Sequence, residues 1–201
     1  MKPDIWIVIL AAGYARRMGS PKLLLPIDKE SMLRHVTRKA LRTRAIGVAI
    51  VVNGELPELM ETIDDLDVVI LPNHEASLGM SASVRIAVSH LEHVSSDAGV
   101  IMLADQPGMD PSVIEQVMER YAETKAPVVQ PAYQGKPGHP VLFGKAVYSE
   151  LRNVNGDQGG RHVVAKYASE RELVNIDSAE PEDIDVLDDY FRLIAKGGSS
   201  Y

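Results

Sequence analysis

The sequence contains no cysteine. Disulfides, thiolate metal sites and a cysteine nucleophile are therefore excluded. It has no apolar run approaching the roughly 20 residues that a membrane-spanning helix needs, so no membrane role is expected. It also lacks a basic excess. Lys and Arg total 21 against 28 Asp and Glu, a formal net charge of −7. With no basic stripe to release counterions, the acidic balance argues against non-specific nucleic-acid binding. It does not exclude small anionic ligands, because a local basic loop can bind a triphosphate on an acidic protein. Lys2 before an apolar run imitates a secretory leader, but Asp4 interrupts the charged region, and a cytoplasmic protein is expected.

The 201 residues show no internal repeat and no linker. A composition of 45% hydrophobic and 24% charged residues is that of a packed globular chain. One domain is assigned to residues 1–195, followed by a disordered tail over 196–201. Unbroken apolar runs predict buried strands at Ile5–Leu10, Ile46–Val52, Val68–Leu71, Gly99–Ala104, Pro127–Pro131, Val141–Phe143 and Leu173–Ile176. Helical spacing predicts helices from Ser31 to about Thr43, Pro57 to Asp64, Met80 to Leu91, from Asp110-Pro111 onward, Gly156 to about Tyr167, and Asp183 to Ile194. Leu23 to Pro26 reads as a short extended piece, and Tyr133–Pro140 as a loop or hairpin. Strands that alternate with helices and are apolar throughout predict an α/β fold: a three-layer, Rossmann-like sandwich on a mostly parallel sheet. Ligands of such sheets bind beyond the carboxyl ends of the strands.

Two of those ends carry chemistry. The first strand runs into Gly13, Arg16, Arg17, Gly19 and Lys22. Glycine lets backbone N–H groups approach an anion, and the cations supply charge, so phosphate binding is expected. The loop lacks the Gly-Lys-Ser/Thr ending of a P-loop and the further glycines of a dinucleotide fingerprint. The fourth apolar strand ends at Asp105, which either caps the following turn or holds a hard cation beside phosphate oxygens. His139, in Gly138-His139-Pro140, is a base, a ligand or a hydrogen-bonded structural residue. Gly156 to Arg161 is a capped helix start or a second anion site. The acidic run Glu180–Asp189 is a solvated helix face, from which one carboxylate could serve a metal.

Together these residues resemble the MobA-like nucleotidyltransferase family, and within it the molybdenum cofactor cytidylyltransferases and the accessory proteins of xanthine dehydrogenase. The resemblance rests on Leu10-Ala-Ala-Gly13, Arg17-Met-Gly19 and Lys22, on Leu103-Ala-Asp105-Gln-Pro107, on Gly138-His139-Pro140 and on Gly156–Arg161. It extends over nearly the whole chain. It implies a fold of the nucleotide-diphospho-sugar transferase type and transfer of CMP from CTP to the phosphate of molybdopterin, with Mg²⁺ and release of pyrophosphate. The Ala12 form of the first motif resembles the CTP-using branch. The resemblance further implies catalytic roles for Arg17, Lys22 and Asp105, and nucleotide binding by Leu10, Ala11, Ala12, Gly13 and Ser81. Gly138, His139, Asp157 and Arg161 would face the acceptor, and Asp105 with Asp185 would hold the metal. The implied partners are small-molecule substrates and a recipient molybdenum hydroxylase such as xanthine dehydrogenase. Three places depart from the family pattern: Ala15, Gly160, and Val186-Leu187 in place of Thr-Pro. The alternatives are transfer to a sugar or polyol phosphate, and a non-catalytic carrier of the molybdenum cofactor.

Overall fold

The computed structural model describes residues 2–13 and 21–197. In chain order they form β1 (Ile5–Ala11), β2 (Pro26–Ile27), β3 (Glu30–Ser31), α1 (Met32–Leu41), β4 (Gly47–Asn53), α2 (Pro57–Glu61), β5 (Val69–Asn73), α3 (Met80–His93) and β6 (Ala98–Leu103). Then follow α4 (Pro111–Thr124), β7 (Val128–Tyr133), β8 (Lys136–Pro137), β9 (Val141–Gly144), α5 (Tyr148–Leu151), α6 (Arg161–Lys166), β10 (Glu172–Ile176) and α7 (Leu187–Gly197).

The main sheet runs β10-β7-β9-β6-β1-β4-β5, with β8 attached to β7. Strands β6, β1, β4 and β5 are parallel neighbours, and β10 is parallel to β7. Strand β9 runs antiparallel to both β6 and β7. That reversal positions the site. It brings the residues entering β9, 138–140, to the edge where β6 and β1 deliver their loops.

β1 shows why the sheet is buried on both faces. Ile5, Ile7 and Ile9 pack with Leu33 and Val36 of α1 and Ile114 and Val117 of α4. Val8 points the other way, among Ala87, Val88 and Leu91 of α3, with Tyr148 and Val163. Each large aliphatic side chain withdrawn from water contributes about 1.5–3 kcal/mol. The central strands are thus the most firmly held parts of the chain, and residues at their ends inherit fixed positions. The expected caps are present: the Ser31 hydroxyl accepts from Arg34 N–H at 3.2 Å, and the Asp110 carboxylate from Ser112 N–H at 2.8 Å.

Several local expectations are corrected. Leu23 and Leu24 belong to a 3₁₀ turn, Lys22–Leu24, closed by Leu24 N–H to the Pro21 carbonyl at 2.9 Å. Pro72 lies inside β5, which a proline can do because β5 is an edge strand. The segment from Gly156 is not one helix. A 3₁₀ turn, Gly156–Gln158, is separated from α6 by Gly159 at φ +52°. The last helix begins at Leu187 instead of Asp183, and it runs to Gly197. Of the expected tail, residues 198–201 lie outside the described residues.

One close packing is checkable. The Trp6 ring lies edge-to-face with His90, centroids 4.8 Å apart, and it also lies against the bare backbone of Gly47. A Cβ at position 47 would stand 2.5–2.7 Å from three ring atoms. Gly47→Ala is expected to cost about 1–3 kcal/mol through overpacking. It should also shift the emission of Trp6, the only tryptophan. A urea denaturation midpoint and emission spectrum unchanged from the parent would contradict this packing.

Candidate functional site

The site is assembled where β6 and β1 end. The two strands stay paired to their last residues, and Ala104 N–H still donates to the Leu10 carbonyl at 3.1 Å. Asp105 therefore leaves the sheet beside the Leu10–Gly13 backbone. The loop after it is pinned by the Lys39 ammonium on the Pro107 carbonyl at 2.6 Å.

A third strand of chain closes over this edge from the far end of the sequence. Ile184, 1% exposed, donates its N–H to the Asp105 carbonyl at 2.9 Å. Gln106 Nε2 donates to Asp183 Oδ1 at 2.8 Å, and His139 N–H donates to Glu180 Oε1 at 2.9 Å. The Asp189 carboxylate accepts from the N–H groups of Asp185 and Val186 at 2.9 and 3.0 Å. That cap is why α7 starts late. It leaves residues 180–186 outside the helix, and it leaves the Asp185 side chain free to face the site.

What Asp185 meets is Lys22. The Lys22 ammonium lies 2.8 Å from Asp105 Oδ2 and 3.1 Å from Asp185 Oδ1. Its side chain is 15% exposed. Burial works against the charged ammonium, but the Asp105 charge and the hydrogen bonds to both carboxylates outweigh it. Its pKa is raised above the ordinary lysine value. Asp183 stands behind this group. Desolvation, together with the charges of Asp105 and Asp185, raises its carboxyl above the usual aspartate range against the Gln106 hydrogen bond.

Next to this charged group opens a cavity of about 530 Å³. Leu10, Ala11, Ala12, Gly13, Lys22 and Asp105 line one side. Gly79, Met80, Ser83 and Asp157 line the other. The structure thus gathers most of the expected nucleotide-side residues into one wall. Two of the expected residues are placed differently. Ser81 is fully buried and donates its hydroxyl to the Gly156 carbonyl; Ser83 is the serine in the cavity wall. The helical spacing 81-84-88-91 puts Ser81 on the core stripe of α3, a signal the sequence carried. Asp157, expected to face the acceptor, lines the same cavity beside Gly79. Arg17, with Arg16 and Gly19, lies outside the described residues.

Gly138 and His139 lie on the opposite side of Asp105, at the entry of β9. The Tyr133 hydroxyl donates to the His139 carbonyl at 2.8 Å, and Gln130 Nε2 to the Gly138 carbonyl at 3.1 Å. Burial holds the His139 imidazole below the ordinary histidine value, although Glu180, Asp183 and Asp105 pull the other way; Arg161 adds to the lowering. His139 is therefore neutral at neutral pH. Arg161, exposed at the start of α6, acts on the same region. Gln106, Asp183, Glu180 and Ser83 are site residues that the sequence reading did not single out.

Among the described residues no cluster of three or more His, Cys, Asp or Glu side chains is arranged to hold a metal by itself. Two carboxylates already sharing one cation do fit a hard divalent ion that takes its other ligands from phosphate oxygens and water. No described helix is long and apolar enough to cross a membrane.

A parallel-strand edge that presents small residues, Lys22 and Asp105 around one cavity, with Asp185 on the same lysine, suits a phosphorylated ligand, and the family match makes it the edge of a nucleotidyltransferase. Residues 7–172 match the MobA-like NTP transferase domain, and the chain belongs to that family. It is similar to the purine catabolism protein PucB of Bacillus subtilis, 28% identical over 91% of this chain and 92% of that one. Rv0371c of Mycobacterium tuberculosis superposes with a TM-score of 0.85 at 26% identity, over 97% of this chain and 100% of that one. That mycobacterial protein has also been solved as a complex with manganese. CMP:2-keto-3-deoxy-manno-octonic acid synthetase complexed with CTP shares the fold, with a TM-score of 0.79 at 13% identity, over 98% of this chain and 100% of that one.

The cavity wall yields a test. Gly79 has φ +93°, and a Cβ there would lie 2.1 Å from Asp157 Oδ1 and 3.0 Å from the Gly156 carbonyl. Gly79→Ala is expected to cost about 1–3 kcal/mol of stability. Adding Asp157→Ala should recover only part of it, because the backbone strain remains. Complete recovery, or no loss at all, in chemical denaturation would contradict this geometry.

Proposed function

We propose that this nucleotidyltransferase moves CMP from CTP to the terminal phosphate of molybdopterin, forming the cytosine dinucleotide cofactor and pyrophosphate. The observation that carries the reading is the Lys22 ammonium shared by Asp105 and Asp185, with a nucleotide-sized cavity on one side and the Gly138-His139 segment on the other. The Ala12 form of the first loop supports CTP. The near full-length likeness to a purine catabolism protein supports a recipient hydroxylase of the xanthine dehydrogenase type. A cytoplasmic location follows from that role.

The reaction asks for alignment and charge stabilisation more than for a general base. The acceptor phosphate oxygen is already ionised at neutral pH. It attacks the α-phosphorus of CTP, the bond from that phosphorus to the bridging oxygen breaks, and the electron pair leaves with pyrophosphate. Backbone N–H groups around Ala11, Ala12 and Gly13 hold the nucleotide. Lys22, with Arg17, neutralises the triphosphate and the departing pyrophosphate. Asp105 and Asp185 would hold a Mg²⁺ ion, which would supply positive charge to offset the negative charge of the triphosphate. A manganese complex of a family-like neighbour supports a divalent ion here. Gly138, His139 and Arg161 face the acceptor from the far side of Asp105. A neutral His139 donates or accepts a hydrogen bond there without adding charge.

Lys22→Ala and Asp105→Ala should each lower CTP-dependent pyrophosphate release roughly 100-fold or more, as loss of a preorganised charge does, while circular dichroism stays that of the folded parent. The assay supplies Mg²⁺, purified molybdopterin and, in parallel, GTP, ATP and UTP. Near-normal turnover in either variant would remove these residues from the mechanism. Turnover only with a sugar or polyol phosphate would replace the acceptor.

A further inference from the structure

The segment Gly138-His139 keeps none of its backbone polar groups for a ligand. Gly138 N–H donates to the Pro131 carbonyl at 3.0 Å, and His139 N–H to Glu180 Oε1 at 2.9 Å. The His139 carbonyl accepts from the Tyr133 hydroxyl at 2.8 Å, and the Gly138 carbonyl from Gln130 Nε2 at 3.1 Å. The imidazole of His139 makes no hydrogen bond to another described residue. It is the polar group that this segment can offer to an acceptor, and its place is set by how the peptide behind it is held.

Gln130 is the buried member of that support. It lies inside β7 at 6% exposure, after the fully buried Val128 and Val129. A primary amide at such a place has to satisfy both of its ends. Its second end is met by Arg171, whose Nη1 donates to Gln130 Oε1 at 3.0 Å. The sheet explains the meeting. Gln130 pairs in register with Leu173 of β10, and Arg171 stands two residues ahead of Leu173, the spacing that returns a side chain to the same face. A guanidinium carries donors and no acceptor. It can meet only the oxygen of the amide, so it turns Oε1 toward itself and Nε2 toward Gly138. A flipped amide would set N–H against N–H at Arg171 and oxygen against oxygen at Gly138. Arg171 Nε is buried without a partner; among the described residues, the bond that the guanidinium makes is the one to Gln130.

We propose that Gln130 and Arg171 are a pair of positioning residues for the acceptor: Arg171 fixes the direction of the Gln130 amide, the amide holds the Gly138 carbonyl, and the His139 imidazole is thereby set for contact with the acceptor. This deepens the reading of Gly138-His139 as the acceptor side and rests on it. The pair acts through His139 and touches neither the nucleotide nor the acceptor.

Three substitutions separate positioning from structural support. Gln130→Glu keeps an acceptor for Arg171, now a charged one, and loses the hydrogen that Gly138 receives. Arg171→Met frees the amide to flip. Arg171→Lys retains a group that only donates. Each full-length variant is compared with the parent in two measurements. The first is the NMR resonance of His139 Cε1 in chains labelled at that carbon, assigned by its loss in His139→Gln. The second is pyrophosphate release with Mg²⁺ and saturating CTP as molybdopterin is varied, alongside calorimetric CTP affinity. Gln130→Glu and Arg171→Met should broaden or split the His139 resonance and raise the acceptor KM about tenfold, the effect of one buried hydrogen bond. CTP affinity should stay that of the parent, and Arg171→Lys should keep both readouts near the parent. An unchanged resonance in Gln130→Glu and Arg171→Met overturns the inference. So does a split resonance with an unchanged acceptor KM, or a loss of CTP affinity as large as the loss for the acceptor, which would make the pair a general support of the fold. Arg171→Lys as impaired as Arg171→Met would overturn the role given to donor direction. A parent inert toward molybdopterin overturns the acceptor assignment instead; the His139 resonance then still decides whether the pair holds the imidazole.

Discussion

One ammonium group ties together three distant parts of this chain. Lys22 comes from the loop after the first strand, Asp105 from the end of β6, and Asp185 from the segment before the last helix. Two carboxylates facing one point repel each other unless a cation stands between them. The surrounding structure is arranged to bring them there. Ile184 is hydrogen-bonded to the Asp105 carbonyl, Gln106 holds Asp183, and Asp189 caps α7 late enough to leave Asp185 outside the helix. The Tyr190 hydroxyl on the Pro26 carbonyl anchors the helix to the β2–β3 hairpin, 2.8 Å apart. The fold thus concentrates negative charge at a sheet edge, and among the described residues Lys22 is the cation paired with Asp105 and Asp185 there. In the proposed reaction the lysine would meet the triphosphate, and the carboxylates would meet its metal.

The sheet divides the space on either side of that group. Parallel strands β1, β4 and β5 carry the cavity away from Asp105 in one direction. The antiparallel β9 presents Gly138 and His139 from the other. A nucleotide and an acceptor can therefore approach the same phosphorus from opposite sides, the arrangement that in-line displacement needs. Small residues make this close approach feasible. Ala11 and Ala12 leave the β1 backbone open to the cavity, and Gly79 accepts the Asp157 carboxylate against its bare Cα.

Much of this was legible in the chain. Buried strands announce themselves by continuous apolar runs, and a lone carboxylate ending such a run, Asp105, stands out against them. Lys22 is legible because glycine and basic residues crowd a strand exit. The direction of β9 was not legible, since a four-residue apolar strand reads the same either way. The C-terminal acidic run was misread as the start of a helix. The spacing of Asp183, Asp185 and Asp189 does not say which carboxylate caps the helix and which faces the site, and only the tertiary contacts with Asp105 and Lys22 decide it. Ser81 and Ser83 sit two residues apart on α3. Ser81 gives its hydroxyl to the Gly156 carbonyl and Ser83 lines the cavity, a difference set by tertiary contacts.

The central claim is that Asp105 and Asp185 bind the nucleotide through a divalent cation at the place Lys22 now bridges. Equilibrium dialysis of labelled CTP, in Mg²⁺ and in EDTA, tests it most directly. The account predicts binding at least tenfold tighter in Mg²⁺ for the parent, about 1.4 kcal/mol, and loss of that dependence in Asp105→Asn. CTP affinity that is the same with and without Mg²⁺ in the parent, or a Mg²⁺ dependence that survives in Asp105→Asn, would contradict it.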